Sequence, residues 1–148
     1  MNISSILSPE CVLFNQDCTS KKRILEAIAS HFGKQYRALN PDTVFNALIA
    51  RERLGSTAIG QGIAIPHCRI SDCNTTLGLL VTLDKAVDFD AIDNQPVDII
   101  FVLLVPEDND QNHLQTLATL AEAFSQTEIQ RQLRQADSPE ELYTVMTD

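Results

Sequence analysis

Along the chain the apolar positions switch between two periods. Ile24, Leu25, Ile28 and Phe32 recur at helical spacing, with Lys21, Lys22 and Glu26 on the outer face, and Thr19 or Ser20 stands ready as cap. A second helix is announced by Asn40 as cap and Pro41 at its first position, and Val44, Phe45, Leu48 and Ile49 form its buried stripe. Strand-like runs follow: Cys11 to Phe14 near the start, then Thr57 to Ile59 and Ile63 to Ile65 joined by a Gly60-Gln61-Gly62 turn. Pro66, lacking an N–H, is expected to end the second of these. Leu77 to Leu83 and Ile99 to Val105 have little polar interruption, as central strands covered on both faces do, and the latter is expected in the middle of the sheet. Asn109 or Asp110 then caps a helix carrying Leu114, Leu117, Leu120, Ala121 and Phe124. Two shorter helices follow, the last with Ser138 as cap before Pro139. Helices interleaved with strands predict a single α/β layered domain over residues 1–148.

Composition narrows the function. With 148 residues, 44% hydrophobic and 21% charged, the chain can bury one sizeable core. Its longest apolar run, Ile99 to Val105, falls far short of a bilayer span, and the N-terminus carries no basic-then-apolar leader, so no membrane insertion and a cytoplasmic location are expected. A formal charge of -9 repels nucleic acid. Cys11, Cys18, Cys68 and Cys73 read as reduced thiols. Their spacing gives no zinc cluster, and Asp88, Asp90 and Asp93 read as a solvated loop rather than a metal ligand set, so neither metal nor cofactor is expected.

The chemistry gathers in Arg51 to His67. Three of five glycines, Gly55, Gly60 and Gly62, fall there beside the hydroxyls of Ser56 and Thr57 and the cation of Arg51, equipment suited to an anion. The stretch closes on His67, fixed by Pro66, and imidazole is the side chain best able to act as a nucleophile near neutral pH. This reads as a phosphate-handling histidine site. His67 is the nucleophile and Arg51 the clamp on phosphoryl oxygens, with Ser56 and Thr57 either further donors or satisfiers of the turn backbone. His113, in the first turn of its helix, sits where the helix's positive end favours a neutral ring that donates to phosphate. His31, on a helix with no partner motif, reads as structural. A Cys/His hydrolase built on His67 and Cys68 is disfavoured, because adjacent residues of an extended segment point to opposite faces.

Gly55-Ser56-Thr57 followed by Gly60-Gln61-Gly62-Ile63-Ala64-Ile65-Pro66-His67 resembles the active-site signature of the mannitol/fructose class of enzyme IIA domains of the bacterial phosphoenolpyruvate-dependent phosphotransferase system. Phe89 to Asp98, the apolar strand to Pro106, and His113-Leu114 resemble its nitrogen-regulatory branch, so the likeness covers nearly the whole chain. The resemblance implies a mixed five-stranded sheet between helices and a phosphocarrier phosphorylated on the tele nitrogen of His67, with Arg51 and His113 in support. It also implies a phosphotransferase component rather than a turnover enzyme. It further implies an HPr-like donor, the nitrogen-branch NPr, and targets such as potassium transporters or sensor kinases. A sugar-specific IIA transport component and a phosphate-independent binding module are the rival readings. Ala58, where the family often has glycine, and Cys68 after the histidine depart from its commoner strings. Leu54, Ile59 and Ile63 are candidates for an apolar docking rim around His67.

Overall fold

The structure, a computed structural model, describes residues 3–107 and 110–148, and of residues 110–113 the backbone alone. After two short 3₁₀ turns come strand β1 (Val12–Gln16) and helix α1 (Lys21–Gln35), whose cap Ser20 accepts the Arg23 N–H at 3.2 Å. Helix α2 (Pro41–Arg53) starts where Asn40 Oδ1 accepts from the Asp42 amide at 2.8 Å. Both starts fall where the capping residues placed them, because a short polar side chain satisfies amides that the first turn leaves open.

Strands β2 (Ala58–Gly60), β3 (Ile63–Ala64), β4 (His67–Arg69), β5 (Leu77–Val87) and β6 (Val97–Val105) complete the sheet, followed by helices α3 (Asp110–Ser125), α4 (Thr127–Gln135) and α5 (Pro139–Thr147). The order is β1-β5-β6-β3-β2, with β4 also on β6. β5 and β6 are antiparallel, β1 runs parallel to β5, and β3 and β4 run parallel to β6. β6 is the central strand, and its burial on nearly every residue reflects cover on both faces. Buried apolar residues from the helices and β3, β5 and β6 form one continuous core.

Strand β4 is the departure from expectation. Pro66 does not end the strand; it interrupts it. Ile63 lies opposite Ile99 and His67 opposite Leu103, the same separation along the chain, so β3 and β4 are two pieces of one strand in one register. A proline removes one donor, but its carbonyl still accepts the Leu103 N–H at 2.9 Å, and pairing resumes at the next residue. The expected five-stranded mixed sheet is thus present, with one of its strands divided into the segments β3 and β4. β5 also runs further than Leu83, to Val87, through the exposed Asp84 to Ala86. The expected cap Asn109 lies outside the described residues.

Candidate functional site

The restart of the strand decides how His67 is presented. Its half-buried imidazole sits one residue beyond the break, and Nδ1 lies 2.7 Å from the Ile65 carbonyl oxygen. A carbonyl only accepts, so Nδ1 carries the proton and Nε2 carries the lone pair. Burial holds the imidazole below its ordinary value of 6.5; the Ile65 carbonyl opposes this, the Arg51 cation adds to the depression, and Glu52 works against it. The lowered pKa favours the neutral ring, and the Ile65 carbonyl favours the tautomer with the proton on Nδ1.

The last turn of α2 places Arg51 and Leu54 beside this ring, in a cleft of about 390 Å³ that also holds Arg69. Arg51 Nη1 donates to the Gly55 carbonyl at 3.0 Å, which ties the guanidinium to the turn leaving the helix. Leu54 is 84% exposed and Ile59 48%, in keeping with a rim, whereas Ile63 is fully buried and belongs to the core. A larger groove of about 750 Å³ between α1 and α2, lined by Lys21, Phe45, Ile49 and Glu52, contains no imidazole; His67 lines the smaller cleft.

The hydroxyls of Ser56 and Thr57 point away from a phosphate role in this state. Ser56 Oγ donates to the Phe89 carbonyl at 2.5 Å and accepts from the Ala58 amide at 3.1 Å. Thr57 Oγ1 donates to Glu52 Oε1 in a short hydrogen bond, and the Thr57 amide donates to Glu52 Oε2 at 3.4 Å. Ser56 thus bonds turn backbone, one of the two roles the sequence leaves open, and the Thr57 hydroxyl bonds the Glu52 carboxylate.

Glu52 escaped sequence reasoning. Its side chain is only 5% exposed and receives the Lys21 ammonium at 2.8 Å. Lys21 also lies 5.0 Å from the Phe89 ring centroid and 3.6 Å from Asp90. The signal was present: Val44, Leu48 and Glu52 are spaced by four, so Glu52 continues the buried stripe of α2. A carboxylate there reads by default as a solvated helix end, and its cation stands on another helix.

The tip of the β2–β3 hairpin is held from the other side. Gly60, Gln61 and Gly62 all take positive φ, at 98°, 60° and 80°, which makes the tight turn that the two glycines suggested. Arg134 of α4 donates to the Gln61 carbonyl at 2.7 Å and pairs with Asp98 at 3.0 Å, and Gln130 Nε2 donates to Gln61 Oε1 at 2.5 Å. Asp93 accepts the Gln61 amide at 2.9 Å and the Gln95 amide at 3.1 Å, so this carboxylate serves its loop. Ala58 keeps a negative φ in β2, so its methyl fits where glycine is common.

His113 falls in the first turn of α3, but its side chain lies outside the described residues. Arg69 Nη1 donates to the Glu107 carbonyl at 3.3 Å, tying the end of β4 to the segment that leads towards α3. His31 meets the Glu10 carbonyl at 2.6 Å, a structural contact. All four cysteines are free thiols; burial pushes Cys68 up to about 12, which keeps it protonated and unreactive beside His67. No helix among the described residues is long and apolar enough to cross a membrane, and they include no group of three or more His, Cys, Asp or Glu able to hold a metal ion.

Known proteins resemble this chain over nearly its whole length. Residues 5–148 match the family described as "Phosphoenolpyruvate-dependent sugar phosphotransferase system, EIIA 2". A "Nitrogen regulatory protein" of Escherichia coli K12 is 47% identical across 100% of this chain and 91% of its own length, and one of Pseudomonas aeruginosa is 43% identical across 100% and 96%. The crystal structure of nitrogen regulatory protein IIA-Ntr from Neisseria meningitidis superposes with a TM-score of 0.92 at 39% identity, covering 98% of this chain and 99% of that one. The mixed sheet between helices is thus shared with a nitrogen-regulatory relative, and the chain belongs to the EIIA type-2 family of the phosphoenolpyruvate-dependent phosphotransferase system, on its nitrogen-regulatory branch.

Proposed function

We propose that this protein is a regulatory phosphocarrier that takes a phosphoryl group onto Nε2 of His67 from a phosphohistidine on an HPr-like carrier of the nitrogen branch. The observation that carries the reading is the Nδ1 contact to Ile65, which leaves the lone pair on Nε2. In the transfer, the donor's N–P bond breaks with its electron pair returning to the donor imidazole, while the Nε2 lone pair of His67 forms the new N–P bond. No proton needs to move: Nδ1–H stays on Ile65 throughout and delocalises the positive charge towards a carbonyl dipole. Exchange between two histidines is nearly balanced, so positioning and charge stabilisation suffice without a metal.

Arg51 neutralises the equatorial oxygens with its planar fork, and His113 assists from the first turn of α3. The exposed Leu54 and Ile59 form part of the carrier's landing surface, and the chain's acidity favours a basic partner. The phosphorylated fraction then reports the donor pathway to targets, of which potassium transporters and sensor kinases are the proposed kind, with a cytoplasmic location. The relatives named "Nitrogen regulatory protein" favour this role over sugar transport.

The test is intact-mass analysis after incubation with phosphoenolpyruvate, the pathway's first enzyme and an HPr-like carrier. A single phosphoryl gain, lost in acid, stable in base and absent from His67→Ala, is expected. No gain with any cognate carrier overturns the reading and leaves a phosphate-independent binding module.

A further inference from the structure

We infer that Glu52 is a positioning residue for phosphoryl acceptance at His67, acting through an unbroken chain of hydrogen bonds that runs from Lys21 to the imidazole. The inference rests on the reading proposed above and adds a residue that no motif singles out.

The chain can be followed atom by atom. The Lys21 ammonium meets Glu52 Oε2 at 2.8 Å, and the Glu52 carboxylate accepts both the hydroxyl and the amide of Thr57. The Thr57 carbonyl accepts the Ile65 N–H at 3.0 Å, and the Ile65 carbonyl faces His67 Nδ1 at 2.7 Å. Ile65 therefore has one polar group on the turn that Glu52 holds and the other on the imidazole. A shift of Thr57 shifts the carbonyl that selects the tautomer. Glu52 also adjoins Arg51, so one helical turn supplies the cation of the cleft and the anchor beneath it.

An apolar side chain would continue the Val44 and Leu48 stripe without the cost of desolvating a carboxylate. What the carboxylate adds is direction, because it accepts from three donors at fixed angles. It also adds charge: among the described residues, Arg51 and Arg69 line the cleft with His67, and the Glu52 carboxylate on α2 acts on the ring as an anion.

The experiment compares wild type, Glu52→Gln, Thr57→Val and Thr57→Ser for the rate of phosphoryl gain from the phosphorylated HPr-like carrier. The titration midpoint of the His67 ring is followed in parallel by NMR. Glu52→Gln is expected to slow phosphoryl gain at least tenfold and to lower the midpoint, since an anion is removed. Thr57→Val, which removes the short hydroxyl bond, leaves only the longer amide bond to Glu52 and keeps the charge, is expected to slow transfer with the midpoint unmoved, and Thr57→Ser to restore the rate. A Glu52→Gln rate within twofold of wild type overturns the inference, and so does a slow rate with an unshifted midpoint, the mark of a merely structural residue. If Glu52→Gln does not fold, the Thr57 pair decides, and wild-type speed in Thr57→Val overturns it. A wild type that gains no phosphoryl group sinks the phosphocarrier reading instead; the two failures are distinct.

Discussion

The β2–β3 hairpin is fastened at both ends by charged side chains, yet the two fastenings differ in kind. At its base, Glu52 and Lys21 are side chains only 5% and 19% exposed, and they hold the turn before β2. At its tip, Arg134 and Asp98 are 36% and 30% exposed and hold Gln61. An ion pair in water gives back little, because solvent competes for both partners. A buried one has paid for desolvation, and breaking it strands a charge. The base is where the fold depends on its charges, and the hydrogen bonds from the base lead to His67.

Lys21→Met should show the difference most strongly. It leaves the Glu52 carboxylate buried without its cation and is expected to destabilise the fold by about 3–5 kcal/mol in urea denaturation. A loss below about 1 kcal/mol would place the base on the same footing as the tip. Gly62→Ala comes next. At φ 80° a side chain is strained, and its Cβ would stand 2.7 Å from Arg134 Nη2, so a loss of about 2 kcal/mol is expected from backbone strain and displacement of the guanidinium. Arg134→Met should cost less than about 1 kcal/mol, since water replaces its exposed contacts.

The smallest effect is in pH. Burial holds the folded-state pKa of His67 below 6.5, so as pH falls through the ordinary value the unfolded chain takes up a proton that the folded chain resists. The stability linked to this group is complete above that value and is lost as pH falls towards the depressed folded pKa. His67→Gln should therefore flatten the decline of the urea midpoint between about pH 7.5 and about pH 5.5. An unchanged slope would show that the ring titrates as if exposed.

Much of this was legible in the residues. Ser20, Asn40-Pro41 and Ser138-Pro139 mark helix starts because capping is local chemistry, and the structure begins helices at Lys21, Pro41 and Pro139. β6 declared itself as central by its unbroken apolar run. Strand β4 did not, because His67-Cys68-Arg69 has no strand pattern of its own; its pairing is dictated by β6, far along the chain. Gly55 to His67 drew attention to the candidate site, but not to where Ser56 and Thr57 would aim their hydroxyls, since donors do not announce their acceptors. Glu52 stayed hidden for the same reason: only the packing of α1 on α2 brings Lys21 to it.

The central claim is that the fold protonates Nδ1 of His67 and offers Nε2 to phosphorus. Two-bond ¹H–¹⁵N NMR of the ring, before and after phosphorylation by the HPr-like carrier, tests it directly. The account predicts the Nδ1–H tautomer in the free protein and a phosphorus-bound Nε2 afterwards. An Nε2–H tautomer, or phosphate on Nδ1, would contradict it.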